Sequence, residues 1–193
     1  MSFSLVLASA SPQRKQLLAG LGVQFSVQPS AIDECICTER EPAKRAVALA
    51  RMKALDTAAS CADAYVIGCD TLVVASDGTL LEKPAHAHDA REMLIRQSGS
   101  ASIVHSGLCV AAPGGQVAEG LSSSMVLFKT LRQADIDWWL QSGLWQDRSG
   151  GFQIDGPGQL LIERVEGDWP GVVGLPVFLL EQLFRQLGES LQS

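Results

Sequence analysis

The run Val66-Ile67-Gly68-Cys69-Asp70-Thr71-Leu72-Val73-Val74 limits what this chain can fold into more than any other stretch. It is apolar and rich in β-branched residues, and it leads into the turn Ser76-Asp77-Gly78 and then Leu80-Leu81-Glu82-Lys83-Pro84. That pattern predicts two strands joined through an Asp-Gly turn. Asp70 interrupts the first strand, and a buried carboxylate is costly unless a cation or a hydrogen-bond donor faces it. The expected hairpin returns Glu82 and Lys83 towards Asp70, which would gather two carboxylates and an ammonium suited to a metal and a phosphate. The plainer reading is that Asp70-Thr71 closes a strand end and Glu82-Lys83 is a solvated surface pair. The hairpin alone leaves both open.

Composition sets the outer bounds. With 193 residues, 47% of them hydrophobic, the chain can bury a full core as a single domain over 1–193, or as one domain with two lobes. Only 19% of residues are charged, which argues against long disordered tails. A formal net charge of −6 argues against a general nucleic-acid binder, although a local cluster of Lys and Arg can still attract an anionic small ligand. Residues 1–8 lack the basic and apolar regions of a signal peptide, and no apolar run reaches the roughly 20 residues of a membrane helix. The expectation is a soluble, cytoplasmic protein. Five cysteines, an odd number at irregular spacing, suit reduced thiols. Cys35-x-Cys37 and His86-x-His88 each lack a second pair at finger-like spacing, which argues against structural zinc.

Taken in order, residues 3–8 read as a strand that runs into a helix with Ser11 at the N-cap and Pro12 in the first position. Ser9, Ser11 and the free N–H groups of a helix start could hold an anion. Arg14 and Lys15 oppose the helix dipole there and so need another reason to be present. A plain strand-to-helix connection with surface basics accounts for the same residues. A second strand is expected over 23–27, an acidic turn at Ile32-Asp33-Glu34, and from Pro42 a long helix carrying Lys53. Further on, helices are expected over 89–97, 134–141 and 176–187, and strands over 102–112, 117–128 and 159–165. The Gly-rich stretch 146–156 could let its backbone approach a ligand closely. Mixed strands and helices with antiparallel hairpins give an α/β class with a mixed sheet flanked by helices.

Seven stretches in register then form a pattern. They are Ala8-Ser9-Ala10-Ser11-Pro12-x-Arg14, Ile32-Asp33-Glu34, Ala50-Arg51-x-Lys53-Ala54, Gly68-x-Asp70-Thr71, Glu82-Lys83-Pro84, Ser149-Gly150-Gly151-Phe152-x-Ile154 and Val172-Val173-Gly174-Leu175-Pro176. Together they resemble the Maf (septum formation inhibitor-like) family of nucleoside triphosphate pyrophosphatases. The resemblance implies a fold related to inosine triphosphate pyrophosphatases, with two lobes around a deep cleft, a homodimer and a divalent cation (Mg2+ or Mn2+). It implies hydrolysis between the α- and β-phosphates to a monophosphate and pyrophosphate, a house-cleaning activity on non-standard or pyrimidine nucleotides. It also implies Asp70 as proton acceptor, Glu34 and Glu82 holding the metal or the water, and Glu34 with Asp70 as metal ligands. Ser9, Ser11, Arg14, Lys53 and Lys83 would grip the triphosphate. Such a substrate brings about four negative charges, which several cations plus a metal must receive.

Three positions bear on the base: Gln13, Thr71 and Asp155. Members resembling the dTTP/UTP enzymes carry Arg, Thr and Gln there, whereas those acting on 7-methyl-GTP carry Trp, Gln and Glu. Thr71 sides with the first group, Asp155 is acidic like the second, and Gln13 matches neither. An ionised carboxylate accepts hydrogen bonds and donates none, so Asp155 facing a base suits the N–H edge of guanine better than the carbonyls of uracil. Besides the 7-methyl-GTP enzyme, two alternatives stand: a non-catalytic nucleotide-binding regulator of septum formation, and a phosphatase that removes the terminal phosphate. The Asp-x-Asp pair of one phosphatase class is absent at Asp70-Thr71-Leu72.

Overall fold

A computed structural model describes residues 3–192 of the chain. Its centre is the stretch singled out above: strand β3 (Ala64–Val74) is eleven residues long, and all but Thr71 and Val74 are buried. Beside it β1 (Ser4–Leu7) runs parallel, paired from Ser4 opposite Ala64 to Leu7 opposite Ile67, and β2 (Ser26–Val27) runs parallel to β1. Two-residue β4 (Leu80–Leu81) pairs antiparallel with the far end of β3. With β5 (Ala101–Ala111), β6 (Val117–Phe128) and β7 (Ile162–Glu166) the order is β2-β1-β3-β5-β6-β7, with β4 placed on β3. Parallel and antiparallel pairings in one sheet make it mixed, as the sequence leads one to expect.

The chain divides into two compact units. The first comprises Met1–Asp70, Ser106–Ser122 and Gly174–Ser193, and its larger core gathers Leu5, Leu7, Leu18, Ile67, Leu108, Leu180 and Phe184. A second, smaller-residue core in that unit is built from Val6, Ala8, Ala50, Ala54, Val66, Cys109 and Ala111. The second unit comprises Thr71–His105 and Ser123–Val173, around Val73, Leu94, Phe128, Trp139, Phe152 and Ile154.

Helix α1 (Pro12–Gly20) starts as its sequence dictates: Ser11 is the N-cap, its hydroxyl accepting from the Arg14 N–H at 3.4 Å. Of its leucines only Leu18 is fully buried, and Leu21, just past its end, is largely exposed. Helix α2 (Pro42–Ala58) buries the small residues Ala46, Ala50 and Ala54. Their partners are glycines in the strands. A Cβ at Gly68 would lie 2.1 Å from the Ala50 carbonyl oxygen, and one at Gly107 2.2 Å from that of Ala46. Alanine and glycine therefore bring α2 almost into backbone contact with β3 and β5.

Several boundaries depart from expectation. The second strand shrinks to Ser26–Val27, because it pairs only with the two residues Val6 and Leu7 of β1. Helix α3 (Ala87–Gln97) starts two residues early, capped by His86 Nδ1, which accepts from the Asp89 N–H at 3.3 Å. Helix α4 spans Gln133–Ser142. The expected strand over 159–165 is half 3-10 turn (Gly156–Leu161) before β7 begins, and the expected loop after Asp168 holds a short helix α5 (Trp169–Val173). Helix α6 covers Val177–Gln186, with Pro176 as its cap residue. Among the described residues no helix is long and apolar enough to cross a membrane.

Candidate functional site

Gly68 and Asp70 are two residues apart on β3 and so share one face of the strand. The face that Gly68 opens to α2 is thus the face on which Asp70 stands. Helix α2 answers with Lys53, next to the buried Ala54. Lys53 Nζ lies 2.5 Å from Asp70 Oδ1 and 2.7 Å from Glu34 Oε1. The Lys53 and Asp70 side chains are only 14% and 8% exposed, so this ammonium offsets a carboxylate that water barely reaches. Glu34 comes from a 3-10 turn (Glu34–Ile36), set by the Asp33 carboxylate accepting from the Cys35 N–H at 2.9 Å. Asp70 Oδ2 is buried and has no hydrogen-bond partner among the described residues. One oxygen of this carboxylate is saturated and the other is left to accept a proton, a water or a cation.

The start of α1 supplies a second group in the same unit. Ser9 is buried, and its hydroxyl oxygen accepts from the Ser11 N–H and from Arg14 Nη1, both at 3.2 Å. Arg14 Nε donates to the Gly174 carbonyl at 2.9 Å. That contact explains a basic residue in a first helical turn: it ties α1 to the segment preceding α6. Ser11 also donates to Gln13 Oε1 at 3.4 Å. These contacts carry the plain helix-start role and the tether to Gly174.

In the second unit the Gly-rich stretch is held from all sides. Gly150 N–H donates to the Glu82 carbonyl at 3.1 Å, and the Ser149 hydroxyl donates to the Thr71 carbonyl at 3.1 Å. Gln97, fully buried, donates to the Gly150 carbonyl at 2.8 Å, and Trp139 Nε1 donates to the Gly151 carbonyl, also at 2.8 Å. Gly150 and Gly151 both have positive φ, 73° and 67°, a conformation that only glycine takes freely. Glu82 and Lys83 follow β4 with exposed side chains. Asp155 is half-buried, and no group among the described residues donates to its carboxylate.

Of the residues singled out from the sequence, Ser9, Ser11, Gln13, Arg14, Glu34, Lys53 and Asp70 lie in the first unit, with Glu34, Lys53 and Asp70 in direct contact. Thr71, Glu82, Lys83 and Asp155 lie in the second, where Thr71 and Glu82 are joined to the Gly-rich stretch through their carbonyls. Sequence reasoning missed Ser149, Gln97 and Trp139 as the pins of that stretch. Gln97 left a signal, being a polar residue on the helical period of the apolar Ala90 and Leu94.

Among the described residues, no group of three or more His, Cys, Asp or Glu could hold a metal by itself. Magnesium does not need one, since it is bound by one or two carboxylates together with substrate phosphates and water. The unpartnered Asp70 Oδ2 and the nearby Glu34, both already around a cation, fit that demand.

Comparison with known proteins covers nearly the whole chain. The model of the family described as Maf-like protein matches residues 4–187. A protein named dTTP/UTP pyrophosphatase from Deinococcus radiodurans is 42% identical over 96% of this chain and 94% of its own. Proteins of that name from Moorella thermoacetica and Pyrococcus furiosus are 42% and 35% identical, covering 95% and 97% of this chain and the same shares of their own. A solved nucleoside-triphosphatase / dITP/XTP pyrophosphatase from Mycobacterium abscessus overlaps at a TM-score of 0.42 and 12% identity, covering 67% of this chain and 76% of that one. At that score it adds nothing to the fold read from the chain itself. Family model and near full-length relatives agree: the chain belongs to the Maf-like protein family.

Proposed function

We propose that this protein is a nucleoside triphosphate pyrophosphatase that hydrolyses UTP and dTTP to the monophosphate and pyrophosphate, with its 193 residues working as one domain. The observation that carries the reading is the Glu34–Lys53–Asp70 contact, with Asp70 Oδ2 buried and unpartnered. The relatives, named dTTP/UTP pyrophosphatase, support both the reaction class and the pyrimidine preference.

Asp70 is the proton acceptor. Lys53 holds Oδ1, which fixes the rotamer of the carboxylate and leaves Oδ2 to take a hydrogen bond from water. The water oxygen bonds to the α-phosphorus, its proton passes to Asp70, and the bond from that phosphorus to the bridging oxygen breaks. The electron pair leaves with pyrophosphate. Lys53 keeps its charge throughout and offsets one of the two carboxylates it touches as a polyanion approaches. A divalent cation, Mg2+ or Mn2+, held by Asp70 and Glu34, would neutralise phosphate charge when bound. Ser9, Ser11 and Arg14 are proposed as phosphate contacts, and the roles of Glu82, Lys83, Gln13, Thr71 and Asp155 rest on the family resemblance. Homodimer formation and a cytoplasmic location rest on it too.

Product analysis tests the reading. Purified protein is given UTP, dTTP, CTP, GTP and 7-methyl-GTP with magnesium or manganese, beside Asp70→Asn. Pyrophosphate and monophosphate, fastest from UTP and dTTP and lost in the variant, are expected. Orthophosphate as product would overturn it in favour of a phosphatase, and binding without turnover in favour of a regulator.

A further inference from the structure

Glu34 reaches Lys53 from a stretch that the core does not hold. Among the described residues, none from Gln24 to Lys44 is buried. Apolar packing therefore fixes the stretch only loosely, and hydrogen bonds must set where it lies. Those bonds come from the C-terminal end of α2. Asp56 Oδ2 accepts from the Ser30 hydroxyl and from the Ala31 N–H, both at 2.9 Å. The Ser30 oxygen in turn accepts from the Ile32 N–H at 3.2 Å. Upstream, the Thr57 hydroxyl donates to the Gln28 carbonyl at a long 3.4 Å, and the Gln28 amide donates to Ser60 Oγ at 2.7 Å. Asp56 and Thr57 stand three and four residues after Lys53, so all three share one face of α2. An acidic residue in the last turn of a helix opposes the helix dipole, so Asp56 needs a local reason to be there.

We propose that Asp56 is a positioning residue for Glu34: by pinning Ser30 and Ala31 to α2, it sets the turn that brings the Glu34 carboxylate to Lys53. This rests on the activity proposed above and adds to it a residue outside the reacting groups. Only Ile32 and Asp33 separate the pinned Ala31 from Glu34, so the chain between them has little slack. Both are fixed in turn. The Ile32 N–H is held by Ser30, the Asp33 carboxylate accepts from the Cys35 N–H, and the Asp33 carbonyl accepts from the Ile36 N–H at 3.3 Å. One helix thus grips the turn twice. Lys53 meets Glu34 at 2.7 Å, and Asp56 meets Ala31 about one helical turn further on. Releasing the Asp56 end lets Glu34 drift with an exposed segment, and a misplacement of about 1 Å can cost as much as about 100-fold in rate. The bonds at position 56 need an acceptor rather than a charge. Both go to one oxygen, and an amide carbonyl carries the same two lone pairs.

The test measures kcat and KM for UTP with magnesium, and amide hydrogen exchange over residues 31–37, in the native chain, Asp56→Ala, Asp56→Asn and Ser30→Ala. Thermal melting checks that each variant is folded. Asp56→Ala should speed exchange over 31–37 and slow hydrolysis about tenfold or more, with the same split between kcat and KM as Glu34→Gln. Ser30→Ala removes one of the two bonds and should do the same to a smaller extent. Asp56→Asn keeps the acceptor and should stay within about threefold of the native rate. In a Glu34→Gln background, Asp56→Ala should change the rate less than about twofold, because residue 56 acts only through Glu34. A full loss in Asp56→Asn would assign the effect to charge. An undiminished effect in the Glu34→Gln background would assign it to the fold at large. Either result, or a native rate in Asp56→Ala, overturns the positioning role and leaves the hydrolase reading standing. If the native chain hydrolyses no triphosphate, the hydrolase reading falls, and unchanged exchange in Asp56→Ala would then overturn the hold on the Glu34 turn as well.

Discussion

The Glu34–Lys53–Asp70 contact and the Gly-rich stretch of the second unit are held by different forces. In the first, one ammonium stands between two carboxylates, one of them buried, on a strand and a helix whose backbones nearly touch. In the second, neutral donors from Ser149, Gln97 and Trp139 fix main-chain carbonyls, and no ion pair is involved. The contrast suits the chemistry proposed for the first. Proton transfer needs a carboxylate whose position is fixed through one oxygen while the other meets no protein donor, whereas the Gly-rich stretch is a backbone fixed by neutral groups.

Removing a cation should therefore do the most damage. Lys53→Met removes the ammonium that faces the buried Asp70 carboxylate, which should cost about 3–5 kcal/mol by chemical denaturation and lower turnover more than about 100-fold. An Arg96→Ala change provides the control, since the exposed Arg96–Asp77 pair is worth little in water and its loss should leave the midpoint unmoved. In the second unit, Gly158→Ala forces a methyl group against the Gln153 carbonyl and should destabilise by about 3 kcal/mol. Trp139→Phe keeps most of the ring but strands the buried Gly151 carbonyl, for about 2 kcal/mol.

A smaller effect lies in the acid limb. Hydrogen bonds from Arg132, and then Lys129, hold the Asp135 carboxyl below the usual carboxylate range. A group whose folded pKa is depressed adds stability above its unfolded value, here near 3.8, and loses it as pH falls further. Asp135→Asn should thus flatten the loss of stability below about pH 4 while shifting the neutral-pH midpoint less than Trp139→Phe does. The smallest effect concerns thiols. Burial pushes Cys69 up to about 11 and Cys109 up to about 12, so both stay protonated at neutral pH. Mass spectrometry after brief alkylation should find the exposed Cys35 modified first and those two last.

The two regions also differ in how much of them the sequence announces. Asp70 in an apolar strand is a local contradiction, visible without a structure because burial of a carboxylate demands an explanation. Gly68 and the Ala46-Ala50-Ala54 stripe are the explanation, but their meaning lies in a close helix–strand approach that spacing alone cannot fix. Ser11 and Pro12 mark the start of α1 correctly because a cap is a local interaction. Arg14 is only half legible: its misfit with the helix dipole is evident, whereas the Gly174 carbonyl that accounts for it is 160 residues away. The same limit hides the pins of the Gly-rich stretch. Ser149 to Thr71 spans 78 positions and Gln97 to Gly150 spans 53, and hydrogen bonds to a main-chain carbonyl leave no mark on the identity of the acceptor residue. Two 3-10 turns and the short helix α5 were illegible because Gly and Pro there serve a turn or a loop equally well.

The most direct test of the central claim is where the oxygen of water ends up. Hydrolysis of UTP in 18O-labelled water with magnesium, followed by mass spectrometry of both products, locates the bond that forms. Attack at the α-phosphorus, with Asp70 taking the proton, places the label in UMP and leaves pyrophosphate unlabelled. Label in pyrophosphate would mean attack at the β-phosphorus and would contradict the account.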